Sequence, residues 1–397
     1  MMPAALDILK LEPEAVIKPW GLRRAGLCRA AGVRAGVGEV WLASAQAGPG
    51  NCASRIVEPA LGMTLAELLD QAANKGDSAL GRLIGPRGMA VLKESPHRGK
   101  TEGWAVREAR GRVGFVSGPR TAGHLERLRK LVLENAIGPD VNEWTAEVRG
   151  LLGVLEPVRT GEAFLVPCGT LHTMFAVGED SMLVIDEIQQ GYGTSLLPTL
   201  SKVLLVQGNL LSLQVHPCDE TMRRAATGEL KLAHDLEANP TVRITDFGRR
   251  PGEEPALGFD LVRLDAGLRW VAPVEVALDG GARVAVVVAC AQFVKSRLTL
   301  PAGATTELQP PHGSYRVLHC VHGSACVEAG PRNWRIAAGE TAFVPAELEA
   351  VVRLRAEGEC ELLDDAVPDL MRLPEFLEEA GASVRQIDGL LRPPLAV

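Results

Sequence analysis

The sequence predicts a mainly β protein with helical insertions, built from two β-barrel or jelly-roll domains and a helical region. Three observations favour this fold. Short apolar segments with strand-like alternation recur along the chain, and glycines separate them at regular intervals. Turn formers are abundant, with 42 Gly and 26 Pro, whereas only 4% of the residues are aromatic. Finally, one strand-and-turn motif occurs twice.

The repeated motif consists of Gly-Glu, an apolar run and Val-Pro. It reads GEAFLVPCGTLHTM at 161–174 and GETAFVPAELEAVV at 339–352. Two copies of one motif in a chain predict two copies of one β fold. Only the first copy carries a His after its turn, so we expect one active barrel and one structural barrel.

Helices are predicted between the strands. Residues 64–73 begin with Thr64, and Glu67 follows three positions later, which is the pattern of a capping box. Residues 101–117 are predicted as two strands joined by a Gly turn. Apolar spacing and composition predict further helices at 121–135, 141–153, 219–236 and 368–382, the last followed by loose coil.

These elements predict a division into domains, because 397 residues are too many for one ordinary domain. The first β domain is expected at 1–266, with an inserted helical region at about 119–156. A second β domain, expected to bind no metal, spans 267–366. A C-terminal helix and tail occupy 367–397.

Composition excludes several classes of protein. The net charge is -7 and no basic stripe is present, so we expect no nucleic-acid partner. No segment approaches the ~20 apolar residues of a membrane span, and the N-terminus lacks the pattern of a signal peptide. The eight cysteines are scattered without a CxxC pair, which is typical of free thiols in a cytoplasmic protein.

Four residues that can hold zinc lie in strand-like contexts. Gln214 and His216 alternate in LSLQVHP, so their side chains point to the same face of a strand. Glu102 begins a strand in GKTEGW, and His172 follows the turn in VPCGTLH. A single strand His is more often a core or surface residue than a ligand. The prediction of a mixed N/O metal site therefore depends on the whole set.

The phrases LSLQVHP, GKTEGW, VPCGTLH, EIQQ and TVRITDFGR each resemble signature phrases of type I phosphomannose isomerases, in the cupin superfamily. The segments PWG and GEVWLAS resemble the opening strands of that family. The resemblance spans residues 16–365 and implies a double cupin fold, one Zn²⁺ per chain, and a monomer. It also implies the interconversion of mannose 6-phosphate and fructose 6-phosphate, so the expected partner is a small-molecule sugar phosphate.

Carried over to this sequence, the resemblance implies Gln214, His216, Glu102 and His172 as the metal ligands. It implies Lys100, Glu187 and Arg243 as the catalytic and substrate-binding residues.

Aldose–ketose isomerisation moves a proton between adjacent carbons through an enediol. It needs a base near the carbon-bound proton and positive charge near the developing oxyanion. Glu187 is the candidate base, although only one of Glu187 and Asp186 can face inward from a strand. Lys100 and Arg243 supply positive charge, and their alternative role is that of solvated surface residues.

The sequence departs from the family pattern in two ways that bear on the site. GKTE precedes QVHP along this chain, the reverse of the family order, so a strand pair must reach the site by a different path. Asn239 stands four residues before Arg243, where the family usually has an acid that could take up a proton. In the second β region, His312, His319 and His322 do not repeat the ligand pattern of the first.

Three functions follow from these observations. The first is a zinc-dependent sugar-phosphate isomerase. The second is a weak or inactive homologue that binds a sugar phosphate as a sensor or regulator, which Asn239 and the altered segment order favour. The third is a metal-dependent cupin enzyme with other chemistry, such as an oxygenase.

Overall fold

The structure is a computed structural model that describes residues 7–22, 35–46, 51–59, 61–134, 144–230, 235–236, 239–245, 255–329 and 332–396. These residues form a mainly β protein. No helix in these ranges is long and apolar enough to cross a membrane.

The strands are β1 (Leu9–Glu12), β2 (Glu14–Ile17), β3 (Val37–Ala43), β4 (Arg55–Glu58), β5 (Glu102–Ser117), β6 (Gly153–Leu155), β7 (Ala163–Val166), β8 (His172–Gln190), β9 (Thr199–Gln207), β10 (Asn209–Leu210), β11 (Gln214–Val215), β12 (Val242–Arg243), β13 (Arg269–Val271), β14 (Val274–Ala277), β15 (Arg283–Ala289), β16 (Val294–Leu300), β17 (Thr305–Glu307), β18 (Arg316–His322), β19 (Ser324–Ala329), β20 (Arg332–Ala337), β21 (Thr341–Val344), β22 (Val352–Ala356) and β23 (Cys360–Ala366).

The helices are α1 (Leu65–Ala73), α2 (Asp77–Glu94), α3 (Ala122–Leu133), α4 (Ala146–Leu151), α5 (Asp219–Ala226), α6 (Pro255–Asp260), α7 (Arg372–Glu379) and α8 (Val384–Leu391). Two short 3-10 helices span Asp279–Gly281 and Ala346–Val351.

The largest sheet is built around β5 and β8. Its strand order is β13-β7-β5-β8-β9-β3-β2, and β6, β10, β11 and β12 pair beside this path. β5 and β8 are antiparallel along their whole length, from Glu102 opposite Gln189 to Ser117 opposite His172. The register shifts twice, between Val106 and Glu108 and again between Arg110 and Arg112.

These two irregularities bend the strand pair back on itself. Bulges bend a strand and increase its local twist, and Gly111 adopts the positive φ of 65° that one bulge requires. The predicted pair of strands at 101–117 is therefore one continuous bent strand. As a result Glu102, at one end of the pair, faces His172, at the other end.

The C-terminal part of the chain forms most of two further sheets. Their strand orders are β14-β15-β16-β23-β18-β21-β1-β4 and β17-β22-β19-β20. The N-terminal strands β1 and β4 belong to the first of these, because β1 pairs with β21. The division into domains at residue 266, and the assignment of two cupin domains, stay predictions.

The two copies of the repeated motif have the same local structure. Gly161 and Gly339 open the turns with φ of 90° and 88°. In the first copy the Glu162 carboxylate accepts a hydrogen bond from the backbone N–H of Arg159, at 2.8 Å. In the second copy Glu340 accepts the corresponding bond from Ala337, at 2.9 Å. The strands that follow these turns are β7 and β21.

Most of the predicted helices are confirmed. The capping box of α1 is present, with Glu67 N donating to Thr64 Oγ1 at 3.2 Å and Thr64 N donating to Glu67 Oε2 at 2.7 Å. α3, α4, α5 and α7 lie within the stretches predicted as helical. The helix predicted at 219–236 is too long, because α5 ends at Ala226 and residues 227–230 are not helical. Residues 135, 141–143 and 231–234 of the predicted helices lie outside the described residues.

Three α-helices of the described residues were not predicted, namely α2, α6 and α8. α2 is interrupted at Gly85, whose φ is 77°, next to Pro86, and these two residues break the helical sequence pattern. The prediction of loose coil after 382 is wrong, because α8 forms there. Its capping box pairs Ser383 with Gln386.

The largest sheet packs closely against the eight-stranded sheet, and Gly103 lies at the contact. A Cβ at Gly103 would lie 2.8 Å from Phe293 Cε2, 2.8 Å from Val288 Cγ1 and 3.1 Å from Ile188 Cγ2. These atoms belong to buried core side chains that have little room to move.

We therefore expect Gly103→Ala to lower the free energy of unfolding by about 1–3 kcal/mol, because it overpacks this contact. The measurement is chemical denaturation. Gly123→Ala is the matched control, because a Cβ there, in α3, meets nothing within 4 Å. It should change stability by less than about 1 kcal/mol, towards a more stable helix. Equal effects of the two substitutions would contradict the packing argument.

Candidate metal centre

The four residues predicted as metal ligands lie together in the structure. His216 Nε2 is 3.1 Å from Glu102 Oε1, and His172 Nε2 is 3.5 Å from Glu102 Oε2. Gln214 Nε2 lies 3.2 Å from His172 Nε2. The ligand atoms of Glu102, His172 and His216 all lie within 4.8 Å of one another, so this cluster could hold a metal ion.

Strand pairing holds the QVHP segment at this position despite its late place in the chain. β11 pairs with β8 through Gln214 opposite His172, and with β12 through Gln214 opposite Arg243. Two backbone hydrogen bonds anchor the residues that follow: Gly169 N donates to His216 O at 2.8 Å, and Lys100 N donates to Pro217 O at 3.2 Å. The segment thus contacts the GKTE and VPCGTLH segments directly.

The outer nitrogens of both imidazoles contact backbone carbonyls. His172 Nδ1 is 2.8 Å from Thr170 O, and His216 Nδ1 is 3.2 Å from Pro240 O. A carbonyl oxygen only accepts hydrogen bonds, so each Nδ1 carries the proton. Burial, the largest cause, lowers the pKa of both residues, that of His216 to about 3, and both rings are therefore neutral at pH 7. Each Nε2 then presents a lone pair.

The lone pair of His216 faces a carboxylate, so a bound cation would complete the cluster. His216 Nε2 is buried and has no hydrogen-bond partner, since the Glu102 oxygen beside it is also an acceptor. Neutral imidazoles fixed by second hydrogen bonds at Nδ1 are the usual form of metal-binding His. The Gln214 amide also carries an oxygen that a cation can use. The residues present fit a bound metal ion.

Glu102 stays ionised although it is fully buried. Burial alone would raise its pKa, but the Lys100 ammonium opposes this effect, and the pKa lies well below its usual range. Lys100 Nζ lies 2.7 Å from Glu102 Oε1, and both side chains are buried. Lys100 therefore lies beside the metal centre, as its position two residues before Glu102 predicts.

A cavity of about 120 Å³ opens beside this cluster, and Lys100, Glu187, Gln214 and Arg243 all line it. Glu187 is buried, and its pKa is raised to about 7 by burial and by the negative charge of Glu102. A carboxylate with a pKa near neutrality can both accept and donate a proton at physiological pH.

The neighbouring Asp186 does not line the cavity. It is paired with Arg107, so the two acidic residues have different environments. Arg243 is exposed at the cavity wall, and Asn239 also lines the cavity. The roles of these residues in binding or catalysis stay predictions.

Lys202 and Glu39 line the same cavity and were not predicted from the sequence. Lys202 Nζ lies 3.4 Å from Glu187 Oε1 and 5.6 Å from the centre of the Trp41 ring. Glu39 accepts a hydrogen bond from Trp41 Nε1 at 2.9 Å and lies 3.2 Å from Lys18 Nζ. The available signal was the Lys before the apolar run VLLV in β9, because a charge that is buried in such a strand requires a partner.

In the second β region an arginine occupies the place that corresponds to Glu102. Arg316 faces Val344 of the second motif, as Glu102 faces Val166 of the first. The buried Arg316 guanidinium contacts Asp364 and Pro310 O, and its Nε lies 2.9 Å from Glu349 Oε1.

The histidines of this region lie elsewhere. His319 Nδ1 lies 3.0 Å from Thr341 Oγ1, and His312 is buried, with its pKa lowered by burial and by Arg316. That this region binds no metal stays a prediction.

No family model matches the sequence, and no curated protein sequence matches it. The fold is similar to solved structures. Mannose 6-phosphate isomerase from Bacillus subtilis is similar with a TM-score of 0.54 and 16% identity, over 91% of this chain and 100% of its own. A single-site mutant of phosphomannose isomerase from Salmonella typhimurium is similar with a TM-score of 0.51 and 14% identity, over 91% of this chain and 99% of its own. At these identities the similarity shows the fold alone.

We expect His216→Ala to weaken the binding of Zn²⁺ by at least about 100-fold, because it removes a ligand rather than a residue that supports one. Isothermal titration calorimetry and elemental analysis of the purified protein provide the measurement. His322→Ala is the control, since this His is exposed on the other sheet. Zinc binding that is unchanged in His216→Ala would exclude this cluster as the metal site.

Proposed function

We propose that the protein is a zinc-dependent aldose–ketose isomerase that interconverts mannose 6-phosphate and fructose 6-phosphate. The observation that carries this proposal is a cavity lined by Glu102 and Gln214 of the candidate metal cluster and by Glu187, a carboxylate with a pKa near 7. The similarity of the fold to mannose 6-phosphate isomerases supports the same choice.

Gln214, His216, Glu102 and His172 would hold the metal ion. Two imidazole nitrogens with carboxylate and amide oxygens form a ligand set that suits zinc, and two of these residues, Glu102 and Gln214, line the cavity. A bound zinc ion supplies a Lewis acid that polarises substrate oxygens.

Glu187 is the proposed base. Its carboxylate removes the proton from the carbon next to the carbonyl group, holds it, and returns it to the adjacent carbon. This transfer requires a group that is ionised in one step and protonated in the next, which a pKa of about 7 permits. Burial excludes bulk water, so the proton stays on the Glu187 carboxylate between the two steps.

Positive side chains complete the site. Lys100 Nζ lies beside Glu102 and can donate to the oxygen that becomes negative in the enediolate. Arg243, exposed at the cavity wall, is suited to bind the phosphate group, because the planar guanidinium binds phosphate oxygens in pairs.

A second candidate function is that of a sugar-phosphate sensor without turnover. Asn239 favours it, because this residue lines the cavity where the resemblance implies an acid. An amide cannot take up a proton as a carboxylate does. A sensor would bind zinc and the sugar phosphate and leave the sugar unchanged.

The test uses purified protein with added Zn²⁺ and mannose 6-phosphate, followed by NMR for fructose 6-phosphate. We expect turnover in the wild type and a loss of at least about 1,000-fold in kcat/KM in Glu102→Ala and His216→Ala, since each removes a ligand of the catalytic metal. His322→Ala should retain full activity. Bound zinc and bound sugar phosphate without turnover in the wild type would favour the sensor.

The pH dependence tests the role of Glu187. The Lys202 ammonium lowers the pKa of Glu187, so Lys202→Met should raise it. The base acts when ionised, hence the rising limb of kcat/KM against pH should move to higher pH. At a fixed pH on that limb, a pKa that is higher by one unit lowers kcat/KM about tenfold. Lys202→Arg keeps the charge and serves as the control. A limb at the same pH in Lys202→Met and wild type would exclude Glu187 as the base.

A further inference from the structure

The loop between β8 and β9 carries a tyrosine to the cavity beside the candidate metal centre. Tyr192 is 4% exposed and lines this cavity, as does Asn51. The Tyr192 hydroxyl group donates a hydrogen bond of 2.6 Å to Asn51 Oδ1. Both partners of this bond therefore belong to the cavity wall, and the proposed function assigns no role to either of them.

Packing and a backbone contact hold Tyr192 in place. Its side chain belongs to a small apolar cluster with Trp41 and Leu200. Its carbonyl oxygen accepts a hydrogen bond of 3.1 Å from the Nε2 of Gln46, which is also buried. A side chain that is fixed in this way loses little conformational freedom when a ligand binds, so a contact with it contributes to affinity.

The loop that carries Tyr192 is tied to Arg98, a residue that is 1% exposed. Arg98 Nε donates to Gly191 O at 2.6 Å, and Arg98 Nη2 donates to Ser195 O. The backbones of Arg98 and Gly193 exchange two hydrogen bonds, of 3.2 and 2.9 Å. A buried charge requires such partners, and here they lie on both sides of Tyr192. The fold thus sets the position of Tyr192 before any ligand binds.

The Tyr192 hydroxyl suits one part of a sugar phosphate. Burial raises the pKa of Tyr192 to about 12, so the hydroxyl stays protonated at neutral pH. Its proton is directed at Asn51, and its oxygen keeps lone pairs for a donor. The roles proposed for Glu187, Lys100 and Arg243 cover the reacting carbons, the developing oxyanion and the phosphate group. The remaining hydroxyl groups of a hexose each need a partner once they leave water.

We propose that Tyr192 is a specificity-determining residue whose hydroxyl oxygen accepts a hydrogen bond from a hydroxyl group of the bound hexose phosphate. This contact rests on the proposed function, because it takes a sugar phosphate as the ligand of the cavity. It applies to an isomerase and to a sensor alike. A site that binds a hydroxyl group of its ligand discriminates against analogues that lack this group.

The test measures the Kd of mannose 6-phosphate by isothermal titration calorimetry on the full-length protein loaded with Zn²⁺. Tyr192→Phe removes only the hydroxyl group, and we expect the Kd to rise about 3- to 10-fold, the effect of one neutral hydrogen bond. Tyr315→Phe is the matched control. Tyr315 is buried, its hydroxyl oxygen lies 2.7 Å from Thr199 Oγ1, and it is not among the described residues that line the cavity. This substitution should leave the Kd unchanged.

Asn51→Ala separates the two members of the pair. It keeps the Tyr192 hydroxyl, so the Kd should rise less than in Tyr192→Phe. An equal or larger rise in Asn51→Ala would assign the contact to Asn51 and overturn the proposal, as would wild-type affinity in Tyr192→Phe. In both of these cases the wild type still binds mannose 6-phosphate, so the proposed function stands. A wild type that does not bind mannose 6-phosphate would instead overturn the proposed function, and the Tyr192 contact with it.

Discussion

The site depends on the bend in the long antiparallel pair of β5 and β8. In a flat pair, Glu102 and His172 would lie at opposite ends of the ladder, many residues apart. Two register shifts and the positive φ of Gly111 bring the ends face to face across the interior. The charged cluster and the position of Glu187 both follow from this geometry, because β5 and β8 supply Glu102, His172 and Glu187.

Strand pairing explains how the QVHP segment can lie late in the chain and still reach the site. A strand occupies its place in a sheet through the neighbours with which it pairs, not through its order in the sequence. Gln214 pairs with His172 on one side and with Arg243 on the other. Between His172 and Gln214 the chain passes through β9. Because β9 pairs with β8, it carries the chain along the same wall and contributes Lys202 to it.

Local signals in the sequence were sufficient for some features and not for others. The capping box of Thr64 and Glu67 involves residues three positions apart, and α1 begins where that pattern predicts. The side-chain alternation of short strands likewise identified residues that lie together in the structure. The bend in β5 was missed, since its bulges depend on the register with β8, which no local pattern specifies. Lys202 was missed because its partner Glu187 belongs to another strand, and α2 because Gly85 and Pro86 interrupt the helical pattern.

Arg316 of the second β region means that the two β regions balance their buried negative charges in different ways. Glu102 and Arg316 hold corresponding places in their strands. Two residues further along, Trp104 pairs with Glu187 in the first strand pair, and Leu318 pairs with Asp364 in the second. In one half the buried side chains of Glu102, His172 and His216 converge on a place that a metal ion could fill. In the other half a guanidinium, covalently part of the chain, forms ion pairs with Glu349 and Asp364. If the first cluster holds a metal ion, chelation would remove positive charge from that cluster and leave the ion pairs of Arg316 in place, because the guanidinium is part of the chain. The sheet that carries Arg316 would then keep its buried charges paired when the supply of the ion falls.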